Sequence, residues 1–137
     1  MFFVATGATP DTTNWDTSSV TTFYRTFFQA LAASPDVTSW DTSSATNMSQ
    51  MFYALGSFDV NLSGWDFSNV TNMAEMFTST TLPTTSYSNF LIKVEADNSN
   101  SSMSLGGGSS EYNASGETAR NALISSHSWT ITDGGLE

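Results

Sequence analysis

Residues 65–77 read WDFSNVTNMAEMF, and residues 40–52, 25 positions earlier, read WDTSSATNMSQMF. A third copy, WDTSSVTTFYRTF, fills residues 15–27 at the same spacing. Each copy begins with a tryptophan, and chance does not plausibly place a rare residue three times at one period. The sequence therefore predicts repeat units that begin at Trp15, Trp40 and Trp65, with a spacing typical of proteins built from stacked repeats.

The apolar spacing inside each unit predicts a short helix. Val20, Phe23 and Phe27 stand at positions i, i+3 and i+7, which share one helix face. Asn47 and Gln50 have the spacing of a capping box, which starts a helix. The alternating residues before each tryptophan predict a short strand. Because such a unit cannot bury its apolar side alone, we expect an α/β repeat, a leucine-rich-repeat-like solenoid of about three 25-residue units, over residues 1–82.

Residues 83–137 lack this period and are predicted to form a C-terminal α+β cap over the last unit. One helix is predicted from four apolar residues on a common face, Tyr87, Phe90, Leu91 and Val94. A second helix is predicted over residues 114–127, with Ser115 as its N-cap. Short strands are predicted near residues 103–105 and 129–131, and the triplet Gly106–Gly108 is predicted to be a flexible turn.

The first residues fall in register with the later units. Met1 and Phe2 align with Met51–Phe52 and with Met76–Phe77, so the chain is expected to begin inside a partial unit that precedes Trp15. An uncapped end of a stacked array exposes apolar surface. The sequence therefore predicts homo-association through this N-terminal end.

Composition excludes several classes of protein. The chain has 137 residues and a net charge of −10, with only three Lys and Arg residues. Three cations are too few to neutralise a phosphate backbone, so nucleic-acid binding is excluded. The absence of cysteine excludes disulfides, thiolate zinc sites and a cysteine nucleophile. A hydrophobic content of 39% argues against disorder, and no apolar run is long enough for direct membrane insertion.

The repeated motif resembles a known family. WDTSSATNMSQMF and WDFSNVTNMAEMF are similar to the bacterial surface-protein repeat of BspA-like proteins and of Mycoplasma and Listeria lipoproteins. The first unit departs from that pattern, because Phe23 and Thr26 replace its two methionines. The resemblance implies a leucine-rich-repeat-like fold, an extracellular or cell-surface location, and a role often linked with adhesion. It thereby implies a protein or a glycan on a cell surface as partner.

One aspartate follows each tryptophan, and these three residues are the best candidates for metal chemistry. Asp16, Asp41 and Asp66 supply the oxygen ligands that Ca²⁺ prefers. In the alternative interpretation, each carboxylate caps a local turn by accepting backbone N–H groups. One carboxylate per unit favours capping, so we expect no cofactor and keep Ca²⁺ as the alternative. A second row receives the same interpretation: Asp11, Asp36 and Asn61.

Two rows of hydroxyl side chains also repeat with the period and form a candidate binding face: Ser18, Ser43, Ser68, Thr21, Thr46 and Thr71. Such a face can hydrogen-bond a glycan or ordered water. Alternatively, the hydroxyls cap the backbone of a solvated surface, which is the interpretation we favour. The three tryptophans would offer a platform for sugars if their rings were exposed, but their strict period favours a place in the core.

No catalytic set stands out in the sequence. His127 is the one histidine, and no nucleophile-elbow glycine pattern accompanies the serines beside it. Asp66 and Glu75 have the chemistry of a glycosidase pair, but nothing singles them out among repeated acids. We therefore expect no enzyme activity and predict a non-catalytic binding or adhesion module on the cell surface. The alternative is a structural spacer, a self-associating stalk segment of a larger surface protein.

Overall fold

The computed structural model describes residues 7, 10–31 and 34–137. The predicted partial unit at Met1–Phe2 lies outside these described residues. The helices and strands, in chain order, are β1 Gly56–Ser57, β2 Thr80–Thr81, α1 Thr84–Asp97, β3 Ser104–Gly106, β4 Glu111–Tyr112, α2 Ala114–His127, β5 Thr130–Thr132 and β6 Gly135–Leu136. The strands pair in parallel as three two-stranded sheets, β1 with β2, β3 with β5, and β4 with β6.

The predicted α/β leucine-rich-repeat-like solenoid is wrong. Within the described ranges there are two helices, and both lie after residue 83 rather than one in each unit. The sheets have two strands each, and none of them closes or runs through the units as a solenoid sheet would. The strand predicted before each tryptophan is also wrong, because the two residues before Trp40 and before Trp65 form turns.

Left-handed backbone explains why no helix forms after Val20. Arg25 and Gln29 have φ angles of 54° and 55°, and a right-handed helix cannot contain such residues. The chain instead makes successive tight turns, in which the Thr26 N–H donates to the Phe23 carbonyl at 3.1 Å. The same conformation recurs 25 and 50 residues later, at four more positions with positive φ: Gln50, Ala54, Glu75 and Ser79.

Between these turns, alternate backbone amides point to the next unit. The N–H of Phe23 donates to the Asn47 carbonyl at 2.8 Å, and the N–H of Phe27 donates to the Met51 carbonyl at 3.0 Å. Isolated parallel bridges join Thr22 to Asn47 and Asn47 to Asn72. The units therefore contact one another in register although they share no continuous strand.

Aromatic side chains fill the space between successive units. The rings of Phe27 and Phe52 lie 5.8 Å apart and 5° from parallel, and those of Phe52 and Phe77 lie 5.6 Å apart and 6° from parallel. Offset stacking of this kind adds to the free energy of burying the rings. The tryptophans also join successive units, because the indole N–H of Trp65 donates to the Val37 carbonyl at 2.9 Å.

The C-terminal segment extends the same parallel pairing. Met73 bridges to Leu105, and β3 in turn pairs with β5. The two predicted helices are confirmed as α1 and α2, and α1 packs Phe90 edge-on against Phe77 at 5.1 Å. The predicted N-cap is wrong by two residues: Asn113, not Ser115, accepts the first free amides of α2, because its side chain reaches them at 3.1 Å.

The glycine triplet is packed rather than flexible. Gly108 has a φ of 67°, and a Cβ atom there would lie 2.0 Å from the Thr80 carbonyl oxygen. Gly107 approaches the Tyr87 ring in the same way, with 2.2 Å between an added Cβ and the phenolic oxygen. The loop needs glycine because the Thr80 backbone and the Tyr87 side chain leave no room for a Cβ atom.

Candidate binding surface

The aspartates that follow the tryptophans sit in tight local turns. The Asp16 Oδ1 accepts the Ser18 N–H at 3.1 Å and the Ser18 hydroxyl at 2.6 Å. Asp41 makes the same pair of bonds to Ser43, at 3.0 and 2.6 Å. Asp66 accepts the N–H of the serine two residues later at 2.8 Å. Each turn is therefore closed by a carboxylate that holds both the backbone and the neighbouring hydroxyl.

A second row repeats this geometry. Asp11 and Asp36 each accept the N–H and the hydroxyl of the threonine two positions later. Asn61 accepts the Ser63 N–H at 3.0 Å, so an amide oxygen serves in place of a carboxylate oxygen. Charge is thus not required for the turn, only an acceptor oxygen at the right distance.

Hydrogen bonds lower the pKa of the aspartates that follow the tryptophans. The pKa of Asp16 lies below its ordinary value, first because the Ser18 hydroxyl and then because the Ser18 N–H stabilise the carboxylate. The same cause lowers the pKa of Asp41 and of Asp66, through Ser43 and Ser68. Repulsion from Asp41 acts in the opposite direction on the pKa of Asp16, so these carboxylates are close enough to sense one another. All three are anionic at neutral pH.

The structure brings these acids into one row but not into a compact cluster. In the part of the chain that the structure describes, no group of three or more acidic or histidine side chains could hold a metal ion. The Ca²⁺ alternative for Asp16, Asp41 and Asp66 stays a prediction, and a rise in melting temperature on addition of Ca²⁺ would test it.

The hydroxyl rows lie at the surface beside the acids. Ser18, Ser43 and Ser68 are exposed, as are Thr21, Thr46 and Thr71. The threonines also tie units together, because the Thr46 hydroxyl donates to the Thr21 carbonyl at 3.1 Å and the Thr71 hydroxyl to the Thr46 carbonyl at 3.2 Å. We call the acids that follow the tryptophans and these two hydroxyl rows the polar surface.

The tryptophans differ in exposure. Trp40 and Trp65 are buried, with 2% and 1% of their surface exposed, whereas Trp15 is 40% exposed. The ring of Trp15 stacks on that of Trp40 at 5.8 Å and 12°. Trp40 and Trp65 therefore belong to the core, and only Trp15 presents an accessible ring.

Trp15 opens onto a groove that the sequence did not reveal. The groove has a volume of about 590 Å³, and its lining includes Trp15, Asp16, Thr22, Tyr24 and Thr26. It lies at the end of the polar surface, beside the first tryptophan. The sequence signal was the departure of the first unit from the repeat pattern, which places Tyr24 where the later units have serine and alanine.

Next to this groove, hydrogen bonds between polar side chains link successive units. The Nε of Arg25 donates to the Gln50 Oε1 at 2.5 Å, and the Gln50 amide donates in turn to the Glu75 carboxylate. The Arg25 guanidinium also lies 5.0 Å from the centroid of the Tyr24 ring and 4.7 Å from that of Phe28. Cation–π contacts of this kind help to fix the position of the aromatic rings.

A smaller polar cleft of about 440 Å³ lies between α1 and the loop before Trp65. Its lining includes Asp59, Asn61 and Asn89, and the Ser86 hydroxyl donates to the Asp59 carboxylate across it at 2.6 Å. No exposed aromatic ring lines this cleft among the residues described, so it lacks the apolar platform that the first groove has.

The residues considered for catalysis are held in separate interactions. His127 is the last residue of α2, and its carbonyl accepts the Ser102 N–H at 2.8 Å. Glu75 accepts the Gln50 amide, whereas Asp66 accepts from Ser68 and lies in the polar surface.

Comparison with known proteins places the chain in a family. A family model described as "Mycoplasma protein of unknown function, DUF285" matches residues 1–106. The chain belongs to this family. The Mycoplasma part of the resemblance seen in the sequence is thereby confirmed, whereas the narrower BspA-like relationship stays an expectation.

The DUF285 match ends at the last residue of β3, so it covers the three tryptophan units, α1 and the first strand after that helix. No curated protein and no solved structure matches the chain. Neither helix of the described DUF285 chain is long and apolar enough to cross a membrane.

Proposed function

We propose that this DUF285 chain is a non-catalytic binding module of a cell-surface protein, and that its polar surface contacts a protein or a glycan. The observation that carries the proposal is the repetition of rigid, exposed polar groups in register. Ser18 and Ser43 are both held by the aspartate two residues before them, in the same geometry. A partner with repeating groups can contact each unit in the same way.

The rigidity of these groups favours binding. A side chain that is already held in one conformation loses less entropy when a partner binds, and this loss otherwise costs roughly 0.5–1.5 kcal/mol per side chain. The Thr46 and Thr71 hydroxyls are also held, because each donates to the carbonyl of the preceding unit. Each hydroxyl that donates inward keeps its oxygen lone pairs for donors on a partner.

Charge narrows the class of partner. The net charge of −10 and the row of ionised aspartates attract basic partners, repel anionic ones and leave neutral partners unaffected. The extracellular location follows from the family resemblance, and an adhesive role fits a surface that offers many identical weak contacts.

A binding screen tests the proposal. The intact chain would be applied to a glycan array and to a panel of extracellular proteins, with Ser43→Lys as the disrupting variant. Ser43 lies in the middle of the polar surface, so a lysine there obstructs the central contact. Ser126→Lys is the matched control, because it adds the same side chain at an exposed position on α2.

We expect at least one class of partner to bind, with weaker binding to Ser43→Lys and unchanged binding to Ser126→Lys. Absence of binding in both screens, together with turnover in assays for glycoside or peptide hydrolysis, would overturn the proposal in favour of an enzyme.

A second candidate function is a self-associating structural spacer. The observation that favours it is the pairing of successive units in register, because the N–H groups of Phe23 and Phe27 donate to the next unit and a further copy could add to the array in the same way. Sedimentation equilibrium at two concentrations tests this candidate. A mass that rises with concentration supports it, whereas a monomer at both concentrations contradicts it.

A further inference from the structure

We propose that the polar cleft between α1 and the loop before Trp65 binds a neutral saccharide, whose hydroxyl groups bond to Asp59, Asn61 and Asn89. The inference rests on the proposed function, since it names the ligand class and the place of contact for a surface-binding module. It goes beyond that function because none of the described residues that line the cleft belongs to the polar surface.

The cleft lies where the third unit departs from the pattern of the second. Asn61 replaces the acid found 25 positions earlier, Asp36, and a new acid, Asp59, stands two residues before it. In the second unit the N–H and the hydroxyl of Thr38 both donate to Asp36, at 3.0 and 2.5 Å. In the third unit Asn61 keeps the turn by accepting the Ser63 N–H at 3.0 Å, and the hydroxyl makes no such bond within the described chain. The exchange therefore preserves the fold and releases polar groups into the cleft.

These side chains offer both donors and acceptors. The Asp59 Oδ1 accepts the Ser86 hydroxyl at 2.6 Å, and a carboxylate has about four acceptor sites on its two oxygens. The Asn61 side chain uses its oxygen for Ser63 and donates to no other described residue, so its amide hydrogens are available to a ligand. Because a sugar hydroxyl both donates and accepts, neighbouring hydroxyls of one sugar can bond to a carboxylate and to a carboxamide together.

The helix adds a third polar group on the other wall. Ser86 and Asn89 stand three positions apart on α1, so they share one helix face, and both line the cleft. Asn89 is exposed, whereas the apolar residues of the lining, Val60, Leu62 and Phe90, are buried in the core. The cleft therefore combines a packed apolar floor with a few convergent polar groups, as small-ligand sites do.

Two of the polar groups are held before a ligand arrives. The Ser86 hydroxyl fixes the Asp59 carboxylate across the cleft, and the Ser63 N–H fixes the Asn61 carboxamide. A side chain that is already held loses less entropy when a ligand binds.

Size and charge select the ligand. The volume of about 440 Å³ lies within the range of small-ligand sites, roughly 300–1,000 Å³, and suits a sugar of one or two rings. Asp59 is the one charged side chain among the described lining residues, so the cleft repels sulfated or carboxylated sugars. An ammonium group fits less well than a sugar, because it has three donors and no acceptor for the amide hydrogens of Asn61 and Asn89.

Titration with defined sugars tests the inference. Chitobiose, cellobiose, maltose and lactose serve as neutral probes, and a heparin-derived disaccharide serves as the anionic probe, with affinities measured by NMR titration. Asn61→Asp restores the acid of the second unit, so it keeps the turn while it removes the amide donors and adds a charge. Asn89→Ala removes the carboxamide from an exposed helical position. Asn121→Ala is the matched control, because it makes the same change at an exposed position on α2.

We expect at least one neutral probe to bind and the anionic probe not to bind. Each cleft variant should weaken the affinity by about fivefold or more, which is the effect of losing about one hydrogen bond. Asn121→Ala should leave the affinity unchanged.

Equal affinity in the cleft variants and the original chain would overturn the cleft as the site while leaving the proposed function intact. Binding of Ca²⁺ or of proteins, but of no saccharide, would likewise overturn the inference alone. Failure of both sugars and proteins to bind would overturn the proposed function as well.

Discussion

The rings of Trp40 and Trp65 lie 6.3 Å apart and only 2° from parallel. Each indole N–H donates to a backbone carbonyl 28 positions earlier in the chain, Trp40 to Thr12 at 3.1 Å and Trp65 to Val37 at 2.9 Å. The repeated tryptophan thus joins consecutive units in two ways, through ring stacking and through one buried hydrogen bond. This explains why tryptophan recurs at the period.

Replacing the inner tryptophan should destabilise the whole array. Trp65→Ala removes a fully buried ring and leaves the Val37 carbonyl without its donor, so the free energy of unfolding should fall by about 3–5 kcal/mol. Chemical denaturation measures the change. Trp15→Ala is the comparison and should cost less, because that ring is partly exposed; equal losses would contradict the stacking account.

Glycine should relieve strain at the left-handed positions. Ala54 has a φ of 57°, which costs a residue with a Cβ about 1 kcal/mol or more, so Ala54→Gly should raise the melting temperature. Ala74→Gly is the matched control. Its φ is not positive, so the added freedom of the unfolded chain should lower the melting temperature. A decrease in both variants would show that the left-handed turns carry no strain.

The turn-closing aspartates should make stability depend on acid pH. The pKa of Asp16 and of Asp41 in the folded chain lies below the ordinary value of 3.8, because hydroxyl and N–H groups hold each carboxylate. Protons therefore bind the unfolded chain more readily. The stabilising contribution is complete above about pH 4 and is lost as the pH falls through the folded-state pKa.

Two substitutions at one position separate the hydrogen bond from the charge. Asp41→Asn keeps the Oδ1 acceptor, as Asn61 does in the second row, so stability at pH 7 should be retained and its loss in acid should become smaller. Asp41→Ala removes the acceptor and should lower stability at both pH values. Melting curves at pH 7 and pH 3 provide the measurement, and a loss with Asp41→Asn as large as with Asp41→Ala would contradict the turn-closing role.

A buried ion pair ties the C-terminal helices to the last strands. The Arg120 Nε donates to Asp133 at 2.8 Å, the Tyr87 hydroxyl donates to the same oxygen at 3.1 Å, and the Asp133 side chain is 2% exposed. Arg120→Met should cost about 3 kcal/mol in the free energy of unfolding, because it leaves a buried carboxylate without its cation. Lys93→Met, which breaks a more exposed helical pair with Asp97, should cost less than about 1 kcal/mol. Similar losses in the two variants would show that the Asp133 site is not effectively buried.

The period and the C-terminal helices could be predicted from the sequence, but the backbone of each unit could not. Val20, Phe23 and Phe27 face inward at the predicted spacing, yet a string of tight turns produces the same spacing as a helix. The left-handed positions carry Arg25, Gln50 and Ala54 rather than glycine, so no residue type marks them. They form because each unit can bond its alternate amides to the next, which is a tertiary effect.

The candidate binding surface, like the fold, could be predicted from the sequence only in part. The Asp and Ser rows are visible as repeated letters, and their turns follow from the ordinary chemistry of aspartate beside N–H groups. The groove depends on how Trp15, Tyr24 and Thr26 come together, and this is a property of the assembled units. Only the break in pattern at Tyr24 hinted at it.

The most direct test of the account follows the exchange of the indole N–H groups with deuterium by NMR. Trp40, Trp65 and Trp129 donate their indole N–H groups to backbone carbonyls inside the fold. We predict that the Trp40 and Trp65 signals stay protected until the whole array unfolds. Rapid exchange of either signal in the folded protein would contradict the account.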